Sequence, residues 1–181
     1  MNQINRSLRC FIILALASSS VSALIPKSAG QERNDKRIKL EYNAERDISQ
    51  ITLDPVILAS RKLEELRLGA VTAYKGQVKT RPESIALIFL SLSKTEADKY
   101  ESARKLTVVA DGQHISLGEA QRSKQMANGL FIETMTISIP TDVFVRVFRS
   151  KEVSLKLGVT EVELSTSQIM ILQAFGSYAT E

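Results

Sequence analysis

The sequence predicts a mostly β domain, an antiparallel two-sheet sandwich completed by a short helix and a C-terminal helix. Apolar and polar residues alternate over many short segments from Arg37 onward, which is the period of a half-buried strand. Turn residues separate these segments, and two stretches, near Thr141 and Ser165, have the helical spacing of the two predicted helices. This spacing of turn signals predicts about seven to nine strands.

The N-terminus has the layout of a secretory signal peptide. Arg6 and Arg9 form a basic start without an acid, the apolar run CFIILALA follows, and Val21-Ser22-Ala23 supplies a cleavage site. Cleavage after Ala23 makes residues 1–23 the signal peptide and sends the protein to the periplasm or outside the cell. An uncleaved N-terminal anchor, which would hold the domain at a membrane surface, is the alternative.

A flexible leader and one domain follow the signal peptide. Residues 24–36 include Pro26, Gly30 and many polar side chains without periodicity, so they predict a flexible leader. Residues 37–181 have the size of a single domain. No segment has the roughly 20 uncharged apolar residues of a spanning helix, so no membrane span is expected after signal removal.

Composition argues against several kinds of chemistry. The sole cysteine, Cys10, precedes the cleavage site, and His114 is the sole histidine, so no zinc site is expected. The sequence has no calcium loop, glycine-rich phosphate loop or G-x-S-x-G motif, and we expect no metal, cofactor or catalytic triad. The formal net charge of +4 is halved by loss of Arg6 and Arg9, and predicts no nucleic-acid partner.

The first part of the domain predicts three strands. KRIKLEYN and DISQITLDPVIL both alternate, and Pro55 either confines the second strand to a sheet edge or ends it. The third strand runs from about Glu65 to Tyr74. Leu63 and Leu66 also fit a helix, but the alternation that follows them favours a strand.

The next segment predicts a central strand and a helical turn. SIALIFLSLS is apolar at every position from Ile85 to Leu90, which is typical of a strand covered on both faces. Ser93 and Glu96 then have capping-box spacing, which predicts one or two helical turns at residues 95–102.

Asp111-Gly112 predicts a β-hairpin with a two-residue turn. This turn sets Val109 opposite His114 and Leu106 opposite Leu117. His114 then lies on the more polar face, without a nucleophile or an orienting partner nearby, so we interpret it as solvated rather than catalytic.

The remaining segments predict a loop, three strands and two helices. Residues 119–129 are polar and predict a loop, and FIETMTISIP predicts a strand ending at Pro140. Thr141 is predicted to cap a helix over residues 141–149, whose apolar stripe is Val143, Phe144, Val147 and Phe148. KEVSLKLG and TEVELS predict two short strands that meet at Gly158 and Val159.

Ser165 and Gln168 have the spacing of a capping box that opens the C-terminal helix. This helix is predicted to reach about Tyr178. Its inward residues are Ile169, Leu172 and Phe175, and we expect it to pack on the short helix.

From Tyr74 to the C-terminus, the order of features resembles a group of uncharacterised exported bacterial proteins. The resembling segments are YKG at 74–76, RPESIALIF at 81–89, KLTVVADGQHISLGE at 105–119 and VFVRVFRSKEVSLKLGVTEVELSTSQIMIL at 143–172. The resemblance implies export and a mostly β domain with a C-terminal helix. It implies no activity and no catalytic residues.

Basic loops on a rigid β scaffold are the binding candidates in this sequence. One group comprises Tyr74, Lys75, Lys79 and Arg81, and the other comprises Arg122 and Lys124. If both groups meet at one end of the sandwich, the candidate partners are an anionic glycan, a lipid surface or a protein. Solubilising charge on turns is the alternative interpretation.

The sequence therefore favours a non-catalytic periplasmic or secreted binding domain of unknown ligand. The alternative is a hydrolase of the glycosidase type, which needs only two carboxylates in a cleft. Glu64 with Glu65 and Glu161 with Glu163 are the available pairs. The second pair alternates with apolar residues, which is typical of the solvated face of a strand.

Overall fold

The computed structural model describes residues 36–95 and 98–181. The predicted signal peptide and all but the last residue of the predicted leader lie outside the described residues. Within them, the fold is mostly β, with two antiparallel sheets and two helices, which confirms the predicted class. The strands are β1 Ile38–Asn43, β2 Ile48–Arg61, β3 Glu64–Lys75, β4 Ser84–Ser93, β5 Lys105–Ala110, β6 Gln113–Glu119, β7 Gln121–Ala127, β8 Leu130–Pro140, β9 Val153–Leu157 and β10 Thr160–Glu163. The helices are α1 Thr141–Phe148 and α2 Thr166–Thr180.

The described strands form a six-stranded sheet in the order β1-β2-β3-β4-β8-β7 and a four-stranded sheet in the order β10-β9-β5-β6. The chain passes from β6 to β7 at Ala120, a buried residue whose N–H donates to the Arg104 carbonyl at 2.9 Å. Buried side chains from both sheets and both helices form a single hydrophobic core. Ten strands exceed the predicted seven to nine, partly because β7 lies within the predicted loop.

Strand β2 continues through Pro55, which lies beyond the described pairing with β1 and at an irregularity of the pairing with β3. The register of β1 reaches only Leu53, and β2 has an irregularity between Leu53 and Val56. Proline has no N–H for a strand ladder, so an edge or a bulge is where it is tolerated. The backbone there also approaches β3, since a Cβ on Gly69 would lie 3.1 Å from the Leu53 carbonyl oxygen.

Strand β4 is central, as predicted, but only one of its faces is fully covered. It lies between β3 and β8 in the six-stranded sheet. Ile85, Leu87 and Phe89 are buried in the core, whereas Ile88 and Leu90 are half-buried on the opposite face. The prediction of coverage on both faces was wrong, because the helices and the second sheet pack against one side of this sheet.

The predicted helical turn over residues 95–102 is absent from the described part of this segment. Residues 96 and 97 lie outside the described residues, and residues 98–102 form turns and bends. The Ser93 hydroxyl donates to the Thr95 carbonyl at 2.6 Å and accepts from the Thr95 N–H at 3.2 Å. Tyr100 is fully buried, and its hydroxyl is 2.9 Å from Thr160 Oγ1, so this segment is anchored by a side chain rather than by a helix.

The β5–β6 hairpin has the predicted register near its turn. Val109 pairs with His114, which is exposed as expected. The final predicted pair was wrong, because Leu106 pairs with Gly118 rather than with Leu117. Leu117 is the extra residue of this irregularity, and the adjacent Gly118 has a φ of +109°; no pattern of side chains indicates it.

Helix α1 begins without a side-chain cap. Thr141 is its first residue rather than its predicted cap, and the Thr141 hydroxyl donates to the Pro82 carbonyl at 2.7 Å. The capping box of α2 is confirmed, since the Gln168 N–H donates to Ser165 Oγ and the Ser165 N–H donates to Gln168 Oε1. The helices pack as expected, with the ring centroids of Phe144 and Phe175 5.8 Å apart.

Candidate functional site

The candidate site is an open cleft beside α1, which we call the arginine cleft. Its lining residues are Arg81, Asp142, Val145, Arg146, Arg149 and Thr180. Its volume is about 480 Å³, which lies in the range of small-molecule binding sites. A narrower groove of about 280 Å³ between α1 and α2 shares Val145, Arg149 and Thr180 with the cleft.

The apolar stripe of α1 determines which of its residues face the cleft. Phe144, Val147 and Phe148 are buried against the core. At 3.6 residues per turn, this leaves Arg146 and Arg149 exposed on the other side of the helix.

The start of α1 is bound to the loop that carries Arg81. The Thr141 hydroxyl bonds to the Pro82 carbonyl, and the Thr141 N–H donates to the Glu83 carbonyl at 3.0 Å. These two bonds hold residues 76–83 against the helix, so Arg81 and the outer face of α1 line the same cleft.

The arginine cleft carries an excess of positive charge. Arg81 forms an ion pair with Asp142. Within the described part of the chain, neither Arg146 nor Arg149 forms an ion pair with another residue. The cleft therefore holds three guanidinium groups and a single carboxylate.

Lys79 lies two residues before Arg81 in the same loop, above the last turn of α2. Its Nζ atom is 4.8 Å from the centre of the Tyr178 ring, a cation–π geometry. Burial lowers the pKa of Lys79, and the charge of Glu181 partly opposes this shift. Thr180, two residues after Tyr178, lines the cleft itself.

Of the first group of predicted binding residues, three lie on the surface and one lies in the core. Lys75, Lys79 and Arg81 are exposed at one end of the six-stranded sheet, whereas Tyr74 is buried on the inner face of β3. The sequence interpretation missed Arg146 and Arg149. The apolar stripe predicted for α1 already leaves both of them on the outer face, so the signal was present.

Arg122 and Lys124 lie in a different environment, on strand β7 rather than in the predicted loop. Together with Asp98 and Glu133 they form what we call the ion-pair cluster. Arg122 Nη2 is 2.6 Å from Glu133 and 2.7 Å from Asp98, and Lys124 Nζ is 2.9 Å from Asp98. Their charges are largely neutralised within the fold.

The two basic groups do not meet at one end of the sandwich. Lys124 pairs with Glu133, which in turn pairs with Ser91 on β4. Arg81 lies three residues before the other end of β4, which begins at Ser84. At about 3.3 Å per residue, the distance along β4 from Ser84 to Ser91 is roughly 23 Å. The condition for a shared basic surface is therefore not fulfilled.

The acidic pairs considered for catalysis are also separated or exposed. Glu64 accepts from Lys99 at 3.1 Å through both oxygens, while the adjacent Glu65 pairs with Arg67. Adjacent strand residues point to opposite faces, so these two carboxylates do not share a cleft. Glu161 and Glu163 are exposed on β10, as expected.

Two further observations concern the described residues alone. No group of three or more His, Cys, Asp or Glu side chains in residues 36–95 and 98–181 is arranged to hold a metal ion. Neither of the two helices in this part of the chain is long and apolar enough to cross a membrane.

No family model, curated protein or solved structure matches this chain. The resemblance to exported bacterial proteins therefore stays a prediction.

Proposed function

We propose that this protein is a non-catalytic periplasmic or secreted binding domain that holds an anionic group in the arginine cleft. The observation that carries this proposal is the pair formed by Arg146 and Arg149, two guanidinium groups without an internal carboxylate partner in an open cleft. The signal-peptide pattern of residues 1–23 supports the proposed location.

The spacing of the two arginines suits a shared anion. Residues three apart on a helix have Cβ atoms about 5–6 Å apart, so Arg146 and Arg149 can contact the same carboxylate or phosphate group. The guanidinium group presents a planar fork of donors that matches these oxyanions. Arg81, which pairs with Asp142, is a third guanidinium group at the same cleft.

The cleft supplies charge and hydrogen-bond donors rather than reactive groups. Its lining contains neither histidine nor cysteine, and its sole carboxylate, Asp142, is engaged by Arg81. The positions of Glu64, Glu65, Glu161 and Glu163 give no support to the alternative of a two-carboxylate hydrolase. Binding is therefore the function that this geometry supports best.

Calorimetric titration of the full chain with inorganic pyrophosphate at low ionic strength tests the proposal. The double variant Arg146→Gln/Arg149→Gln is expected to bind at least about tenfold more weakly, since each charge-assisted hydrogen bond contributes 1.5–3 kcal/mol as an order of magnitude. The matched control is Lys105→Gln/Lys156→Gln, which removes the same charge from exposed positions on β5 and β9. An equal loss in both variants, or no binding by the wild type, would contradict the proposal.

A further inference from the structure

We infer that the anionic group in the arginine cleft belongs to a lipid, and that the loop of residues 76–83 seats the domain on an anionic membrane surface. This inference rests on the proposed function and names the source of its anion. Its evidence is the apolar and aromatic surface beside the cations of the cleft.

Val78 is the apolar part of this surface. It is 80% exposed, which exceeds the exposure of every other large hydrophobic residue in the described chain. It lies in the β3–β4 loop between Lys75 and Lys79, three residues before Arg81. An exposed apolar side chain that cations flank in sequence fits the boundary of an anionic bilayer, where the apolar group enters the headgroup region and the cations contact phosphates.

Tyr178 extends this surface on the side of α2. Its ring is 41% exposed and lies beneath the Lys79 ammonium group. Tyrosine is enriched where one end of a side chain is apolar and the other is wet, as at a membrane interface. Tyr178 lies two residues before Thr180 and Val78 three residues before Arg81, both of which line the cleft, so groups that favour the interfacial region adjoin cleft residues in sequence.

Charge distinguishes this loop from another exposed valine on the domain. Val159, in the β9–β10 turn, is 67% exposed, but the exposed Glu161 and Glu163 lie two and four residues after it. Single exposed apolar residues are common on protein surfaces, and exposure alone indicates nothing. The loop of residues 76–83 combines the exposure of Val78 with positive charge, since its Arg81 lines the cleft together with Arg146 and Arg149.

A free small anion would use the guanidinium groups without any contribution from Val78. A lipid surface would use both. The two sources of anion are therefore separated by a variant that removes the apolar group and leaves every charge in place.

The test is co-sedimentation of the full chain with vesicles made of equal parts phosphatidylglycerol and phosphatidylcholine, compared with vesicles of phosphatidylcholine alone. The wild type is expected to sediment with the anionic vesicles, and less so as salt is added. Val78→Ser is expected to weaken vesicle binding by roughly five- to tenfold, because it removes an apolar side chain that is partly buried in the headgroup region. The affinity for pyrophosphate is expected to be unchanged. Val159→Ser is the matched control and is expected to change neither measurement.

The outcomes separate the inference from the proposed function. The membrane inference is overturned if the wild type does not bind the vesicles, or if Val78→Ser binds them as strongly as the wild type. In either case, a loss of pyrophosphate binding in Arg146→Gln/Arg149→Gln still supports anion binding by the arginine cleft. Equal losses in Val78→Ser and Val159→Ser overturn the inference as well. Loss of vesicle binding in Val78→Ser alone supports it, with thermal unfolding curves showing that both valine variants are folded.

Discussion

Arg122 places its guanidinium group 2.6 Å from the carboxylate of Glu133, a residue that is only 3% exposed. The two residues lie on adjacent strands, β7 and β8, and both face the inner side of the six-stranded sheet. Burial by itself lowers the pKa of Arg122, but hydrogen bonds to Glu133 and Asp98 outweigh this effect and raise it. Charges that point inward on an edge strand also discourage pairing with another chain, so this cluster protects the free edge of β7.

Removal of Arg122 alone is expected to destabilise the fold strongly. Arg122→Met leaves the Glu133 carboxylate buried without its main partner, which costs about 3–5 kcal/mol in comparable buried pairs. Chemical denaturation gives the free energy of unfolding for this variant and for the wild type.

The double variant Arg122→Met/Glu133→Leu provides the control for this first prediction. It removes both charges and replaces them with apolar groups, so it is expected to recover most of the lost stability. A double variant as unstable as the sum of the single variants would show that the two side chains do not interact.

The stability conferred by Asp98 is expected to depend on pH. Hydrogen bonds from Lys124 and then from Arg122 hold the pKa of the Asp98 carboxyl below its ordinary value. Because the folded-state pKa is the lower one, Asp98 stabilises the folded protein at pH values above its unfolded pKa of about 3.9. This contribution is lost as the pH falls through the depressed folded-state value.

Unfolding curves of the wild type and Asp98→Asn over a range of pH check this second prediction. Near neutral pH the wild type is expected to be the more stable, and the difference should shrink below about pH 4. A difference that grows on acidification would contradict the assignment. Asp54→Asn, which removes an exposed carboxylate paired with Lys39, is a control for the loss of a single surface ion pair.

The ion-pair cluster shows where side-chain patterns stop being informative. Strands β1, β2, β3, β5 and β6 were predictable because most of their inward residues are apolar, so the alternation is visible, and β4 was predictable from its continuous apolar run. In QRSKQMA the inward positions include Arg122 and Lys124, and the same geometry is hidden by charged side chains. Their partners Asp98 and Glu133 are distant in sequence, and no local spacing indicates the pairing.

The candidate site shows the same division between local and long-range information. The apolar stripe of α1 was predictable, and it implies that Arg146 and Arg149 face outward. That Arg81 lies beside them depends on hydrogen bonds from Thr141 to Pro82 and Glu83, which join segments about 60 residues apart. Such contacts leave no periodic signal, so the cleft was visible only in the structure.

Gly158 is expected to tolerate no side chain. Its φ is +58°, and a Cβ atom there would lie 1.9 Å from the Ala103 carbonyl oxygen. Gly158→Ala must therefore shift the backbone of either segment, and a loss of about 3 kcal/mol or more is expected.

Gly129 is the matched control for this third prediction. Its φ of +72° is also in the left-handed region, but nothing lies within 4 Å of an added Cβ. Gly129→Ala should therefore cost only the conformational strain, about 1 kcal/mol. Urea denaturation compares the two variants, and similar midpoints for both would refute the proposed clash with Ala103.

Asp142 is expected to weaken anion binding in the arginine cleft, because its carboxylate already occupies Arg81. Asp142→Asn removes the internal competitor and raises the net charge of the cleft by one. If the cleft binds anions, pyrophosphate affinity should rise by roughly three- to tenfold at low ionic strength, and the gain should diminish with added salt. Glu163→Gln makes the same charge change at an exposed position on β10 and should have little effect. If Asp142→Asn instead lowers the affinity, the expectation that Asp142 competes with the ligand for Arg81 is contradicted.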